Sequence, residues 1–173
     1  MAQAKLYLMF GYPGAGKTTA AEMVADITGA VHLCSDKFRL HMFPKPTFSE
    51  AEHAAVYGAL DYMTELFLAK GLSVIYDANL NRYQHRHDKY LICQKTGSQA
   101  LLLWVKTPPD LAKSRSTVLG TQDPAHRPFG NLSINTFNRL AHEIELPRPD
   151  EEVIELDGIN LSTEILRQKL SPY

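Results

Sequence analysis

The chain has 173 residues, 45% of them apolar and 21% charged, enough for one domain with a full core and close to the globular average. A net charge of −1 speaks against a strongly basic nucleic-acid binder, though a local basic patch stays open. Two cysteines, Cys34 and Cys93, stand outside any C-x-x-C pair, and no apolar run is long enough for a signal core or a membrane span, so a reduced, soluble, cytoplasmic protein with no membrane association is expected.

In chain order, Leu6–Phe10 reads as a buried strand. Lys17–Thr28 carries Ala20, Ala21, Val24, Ala25 and Ile27 at helical spacing, with Gly29 as its stop. Ala30–Cys34 is a second strand. Ser49 followed by Glu52 is a capping box opening a long helix, with Ala55, Val56, Ala59, Leu60, Met63, Leu66 and Phe67 on one side and Gly71 at its end.

Leu72–Tyr76 is a third strand, closed by Asp77. Arg82–Thr96 is a polar helix, Ala100–Val105 a fourth strand, and Pro109-Asp110 starts another helix. Thr121–Asn131 is loop-like. Ser133 and Ser162 cap two further helices, the first turning Phe137, Leu140, Ala141 and Ile144 inward, and Val153–Leu156 lies between them as a fifth strand. Apolar strands alternating with helices predict an α/β fold: three layers, with a five-stranded parallel sheet covered by helices on both faces. Residues 1–173 read as one domain.

Gly11-Tyr12-Pro13-Gly14-Ala15-Gly16-Lys17-Thr18 satisfies G-x-x-x-x-G-K-[ST] in full, directly after a strand and opening a helix. Glycines let backbone N–H groups converge on phosphate oxygens, and the helix adds its own N–H groups and positive dipole end. Lys17 suits the β- and γ-phosphates, and the Thr18 hydroxyl suits Mg²⁺. The nucleotide-binding set is therefore Gly11, Pro13, Gly14, Ala15, Gly16, Lys17, Thr18 and Thr19, with ATP and Mg²⁺ as the implied ligands. The N-K-x-D segment by which GTPases read guanine is missing from the sequence.

Two segments lie beyond strand ends, where a parallel sheet opens its ligand crevice. In Ser35-Asp36-Lys37-Phe38-Arg39, Asp36 can accept a proton from an attacking hydroxyl, and Arg39 faces the same way if a helical turn starts there. In Tyr76-Asp77-Ala78-Asn79-Leu80-Asn81, Asp77 stands where a carboxylate could hold a magnesium-bound water or orient Arg39. Arg82, Arg86 and Lys89 recur at helical spacing, either as a stripe for a nucleic-acid backbone or as a solvated face. The segment 40–48, with Met42, Phe43 and Phe48, is the candidate acceptor loop. Tyr57, Tyr62 and Tyr83 read as packing residues with a polar tip at the surface.

The P-loop, the D-x-x-R of Asp36 and Arg39, and the D-x-N-L-N of Asp77–Asn81 resemble the kinase domain of phage-type 5′-hydroxyl polynucleotide kinases. They also resemble the small bacterial P-loop kinases that include zeta-toxin-like and chloramphenicol-phosphotransferase-like enzymes. The resemblance implies an ATP-dependent kinase with a P-loop NTPase fold, acting on a hydroxyl of a small molecule or of a nucleic-acid 5′ end. It implies Asp36 as general base, Arg39 on the acceptor or transferring phosphate, and Asp77 as the strand-end carboxylate beside the metal. It also implies a small lid, about residues 112–140, bringing arginines onto the donor phosphates. Arg115 matches the first lid position, but the R-x-x-x-R pattern breaks at Leu119, and Arg127 is the substitute. A nucleotide-dependent switch and a simple ATPase are the alternatives, distinguished by the acceptor-side pair Asp36 and Arg39, which a switch does not need.

Overall fold

The computed structural model describes residues 3–119 and 128–173. Five strands, β1 (Lys5–Phe10), β2 (Val31–Cys34), β3 (Val74–Asp77), β4 (Gln99–Lys106) and β5 (Val153–Asp157), form one sheet in the order β2-β3-β1-β4-β5, with every pairing parallel. The helices are α1 (Lys17–Thr28), α2 (Ser35–Met42), α3 (Glu50–Ala69), α4 (Tyr83–Thr96), α5 (Pro109–Thr117), α6 (Ile134–His142) and α7 (Thr163–Leu170).

Side-chain alternation along the central strand divides the core in two. Tyr7 and Met9 of β1 join Ala20, Ala21 and Val24 of α1 and Leu166 and Leu170 of α7 on one face. Leu6, Leu8 and Phe10 join Val56, Leu60 and Leu68 of α3 and Cys93 of α4 on the other. β1, β3 and β4 carry unbroken apolar runs because helices cover both faces of the sheet there.

Several expected boundaries move. β3 begins at Val74, and Leu72 is exposed. The buried stripe of α3 is Val56, Leu60, Thr64 and Leu68, every fourth residue, while Ala55 and Leu66 face outward. Helix α6 stops at His142, so Ile144 packs from the following turn. No described helix is long and apolar enough to cross a membrane.

Helix α4 departs furthest from expectation. Its Arg86 is fully buried, and Lys89 is 4% exposed, so these two residues form neither a phosphate stripe nor a solvated face. Arg86 makes a two-pronged pair with Glu151, Nε to Oε1 at 2.6 Å and Nη2 to Oε2 at 2.9 Å, and donates to the carbonyls of Leu80 and Asn81. Tyr90 and the backbone N–H of Arg148 also donate to Glu151, and the Phe10 ring lies 4.8 Å below the guanidinium. Lys89 donates to Asp61, which also accepts from Tyr76. Only Arg82 keeps an exposed side chain. Tyr57 and Tyr83 spend their hydroxyls on Asn79 N–H and Asp150, and Tyr62 is 70% exposed.

Candidate active site

The P-loop begins where β1 leaves the sheet. Gly11 has φ 140° and Gly14 φ 81°, values that side chains rarely adopt. Both also face backbone at close range. A Cβ on Gly11 would lie 2.6 Å from the Val105 carbonyl oxygen, and one on Gly14 would collide with that of Ala112 in α5. The loop is thus a bare backbone cradle pressed between β4 and α5. Gly14→Ala is expected to cost about 1–3 kcal/mol in backbone strain alone. Nucleotide affinity should fall by at least about tenfold, a loss that calorimetric titration with ATP would read.

Gly16 caps α1 in the left-handed region, aiming the first N–H groups of the helix at the cradle. Lys17 Nζ donates to the carbonyls of Gly11 and Tyr12, both at 2.9 Å, arching its cation over the loop. Thr107 Oγ1 donates to the Ala15 carbonyl at 2.8 Å, fixing the loop against the end of β4.

A cleft of about 1390 Å³ runs from this cradle along the carboxyl ends of β2 and β3. Gly14, Gly16, Lys17, Thr18 and Thr19 line one part, with Pro13 at its edge, while Asp36, Arg39 and Asp77 line another. Gly11 and Ala15 lie behind this surface, Ala15 fully buried. Helix α2 starts immediately after β2, so Asp36 occupies its first turn and Arg39 the next, on the same side. The D-x-x-R spacing thus places both residues on the cleft, as expected.

Arg39 is held more firmly than its sequence suggests. It is 2% exposed, with Nη1 3.2 Å from Glu52 Oε2, Nη2 3.1 Å from His53 Nδ1, and the Phe48 ring 4.7 Å from its carbon. Its Nε is buried with no partner among the described residues. Because arginine only donates, His53 Nδ1 must accept, leaving the proton on Nε2. Burial and the Arg39 charge both push the His53 pKa below its ordinary value, which favours this neutral form.

Glu52 explains the arrangement. The expected capping box is half formed: Ser49 Oγ accepts from Glu52 N–H. The Glu52 carboxylate turns away from the helix start instead. It accepts from Thr47 N–H, the Thr47 hydroxyl, Phe48 N–H and Arg39. Burial pushes this carboxyl up, but the Thr47, Phe48 and Arg39 donors outweigh it and hold Glu52 below the usual carboxylate range. The same bonds hold Phe48 at φ 58°, a strained conformation for a bulky residue. Its ring meets Phe129 edge-on, with centroids 4.9 Å apart, across the cleft mouth.

Asp77 does not orient Arg39. It is 5% exposed, and its Oδ2 lies 3.1 Å from His32 Nε2. Parallel register sets Cys34 beside Asp77, and His32 is two residues back on the same face of β2. Burial above all, then the Asp77 and Asp36 carboxylates, pushes the Cys34 thiol up to about 12, so it stays a neutral packing group. Arg115 lies at the other end of the cleft, donating from Nη1 to the Gly158 carbonyl at 3.1 Å in the loop after β5. Arg127 lies outside the described residues.

A parallel sheet with a glycine cradle and helix start beyond its central strand defines a P-loop NTPase fold. A family model described as an AAA domain matches residues 6–130, and the chain belongs to that family. It is similar in structure to a presumed kinase from Chloroflexus aurantiacus, with TM-score 0.77, 17% identity and coverage of 99% of this chain and 98% of that one. It is also similar to Kti12 of Chaetomium thermophilum in complex with ADP-AlF3 (TM-score 0.73, 16% identity, 97% of each chain). A sugar kinase from Janibacter matches with TM-score 0.68 and 19% identity over 98% of this chain and 94% of that one. No curated protein matches the sequence. The likeness of its motifs to small P-loop kinases is thus matched by the fold.

Proposed function

We propose that the protein is an ATP- and Mg²⁺-dependent kinase that transfers the γ-phosphate of ATP to an alcohol. The observation that carries this reading is the placement of Asp36 and Arg39 on the wall of the same cleft as the P-loop. A nucleotide-dependent switch has no use for a carboxylate and a buried arginine there.

ATP fits the cradle, because Gly14 and Gly16 hold positive φ on the cleft wall beside Lys17 and the start of α1, leaving backbone N–H groups and a cation for phosphate oxygens. Mg²⁺ fits the oxygen donors of the cleft, the Thr18 hydroxyl and the Asp77 carboxylate, since it takes hard oxygen ligands. Bound there, it would offset charge on the phosphate oxygens. The remaining work falls to side chains of the chain itself. Lys17 exchanges its two carbonyl partners for the β- and γ-phosphates. Asp36 accepts the proton of the acceptor hydroxyl. Arg39, held by Glu52, keeps a positive charge near the transferring group. The lid falls to residues 112–140, of which 120–127 lie outside the described residues, with Arg115 at its base against the loop after β5.

Asp36→Asn tests the reading. The change is nearly isosteric and leaves the cradle alone, so the dissociation constant for Mg²⁺–ATP should stay flat. A positioned general base contributes roughly 10²–10⁴-fold in rate. Phosphoryl transfer has a loose transition state and releases its proton late, so the expected loss in kcat is at least about tenfold. Weakened ATP binding with kcat spared would instead make Asp36 a metal or structural residue.

Arg115→Ala is expected to lower kcat more than it weakens ATP binding, because charge on the transferring phosphoryl group develops in the transition state. Steady-state kinetics at saturating and limiting ATP separate the two effects. Equal losses in both would leave Arg115 as a tether of the Gly158 loop.

A further inference from the structure

The acceptor half of the cleft, formed by the ends of β2 and β3 and by α3, α4 and α6, is rich in basic residues, yet they are already matched. Arg39 is paired with Glu52, and Lys89 with Asp61. At the rim, Arg82 and Arg139 share Glu143, at 3.7 and 3.0 Å. Burial and neighbouring cations hold His53 and His85 below the usual histidine range, so neither supplies charge near neutral pH. Asp36, Asp77 and Asp88 add carboxylates to the same walls. Among the described residues lining this half, four cations face five carboxylates. Lys17 and Arg115, the other described cations of the cleft, belong to the ATP end.

Among the described residues, a phosphodiester backbone or a sugar acid would find every cation of these walls already within 4 Å of a carboxylate, and it would lie against Asp36. Binding of polyanions is driven by cations that release counterions, and these cations are held by carboxylates instead. What the walls do offer is directional hydrogen bonding. Arg39 Nε is a buried donor with no partner among the described residues, and the histidine tautomer places a second N–H on His53 Nε2. Flat rings close the space. Phe48 stands edge-on to Phe129, and the His53 and Tyr57 rings lie 6.0 Å apart. Glu52 uses two of its bonds to hold the strained Phe48 loop, so this aromatic wall is built in.

Resting on the kinase reading above, we infer that the acceptor is an uncharged, ring-bearing alcohol, a free sugar or a nucleoside, which sets its apolar ring face against Phe48 and Phe129 and its hydroxyl toward Asp36. This excludes both the 5′ end of a nucleic-acid strand and an anionic sugar as the preferred substrate.

The test uses γ-labelled ATP with acceptors in matched pairs: glucose against gluconate, and a nucleoside against its 3′-monophosphate and a 5′-hydroxyl oligonucleotide. The uncharged member of one pair is expected to exceed its charged partners by at least about tenfold in kcat/KM, and the pair that responds tells sugar from nucleoside. Its KM should be insensitive to added salt, since no ion pair with the acceptor forms. Preference for a charged member, or a KM that rises steeply with salt, overturns the inference and leaves the kinase reading intact. Bound ATP with no transfer to any acceptor overturns both.

Asp61→Asn adds an independent check by releasing Lys89 into the cleft. In variant protein shown to be folded by circular dichroism, the ratio of charged to uncharged kcat/KM should rise several-fold. An unchanged ratio would mean that charge pairing does not set the choice of acceptor, and the inference fails.

Discussion

Lys17→Ala is expected to abolish phosphoryl transfer while leaving a folded protein. The ammonium donates to the carbonyls of Gly11 and Tyr12, and its removal takes away the cation closest to the cradle. Removing one preorganised donor from a developing oxyanion costs about 10²–10³-fold in rate. Lys17 carries a full charge at the site of phosphate binding, so the loss should reach or exceed that range. Folding should survive, because the side chain donates to the loop's own carbonyls and the core around Ala20, Ala21 and Val24 is untouched. Transfer assays combined with thermal unfolding separate the two effects. Wild-type turnover in the folded variant would remove the P-loop from the mechanism.

Glu151→Ala is expected to be the most damaging single change to stability. The carboxylate and Arg86 are both wholly buried and bonded through two contacts. Truncating one partner leaves a guanidinium in the apolar interior, where breaking a buried pair costs about 3–5 kcal/mol. For a domain of this size that lowers Tm by roughly 6–20 °C. The double variant Arg86→Met with Glu151→Leu should recover much of the loss, because it leaves no orphaned charge.

Acid should probe the same pair. Burial raises the Glu151 pKa, but Arg86, Tyr90 and the Arg148 N–H more than offset this, so the carboxyl titrates below its ordinary value of 4.5 when folded. On acidification the unfolded chain takes up the proton first. The contribution is complete above that ordinary value and fades as pH falls toward the folded one. Denaturant midpoints across this window should slope downward in wild type and flatten in the double variant.

The P-loop was legible because its chemistry is contiguous: one strand, one turn and one helix start hold every group. The D-x-x-R pair was legible for the same reason, since α2 follows β2 without a break. What escaped detection depends on partners far apart in sequence. Arg86 and Glu151 are separated by 65 positions, Lys89 and Asp61 by 28, and Asp77 and His32 by 45. A basic residue every third or fourth position looks the same on paper whether a carboxylate meets it in the core or water does at the surface. Glu52 misled in a subtler way. Its spacing from Ser49 fits a capping box, but the carboxylate finds more donors in the preceding turn and in Arg39 than at the helix start. Half of the motif was right, and the other half became the support of the candidate acceptor wall.

The burial of Arg86 also bears on synthesis from the ribosome. The central strand β1 leaves the exit tunnel first, yet its neighbours β3 and β4 begin only at residues 74 and 99. Arg86 belongs to the stretch between them, and its counterion is residue 151. A nascent chain that has already assembled three strands and α4 therefore carries a guanidinium whose native site is dry and whose partner is still to be translated. Until Glu151 emerges, α4 cannot settle against Phe10 without stranding that charge, so the middle of the domain must wait for its last third. Docking of α4 is thereby tied to translation of the segment leading into β5, and a ribosome pausing before codon 151 would hold a partly built sheet with one face covered by α3 alone.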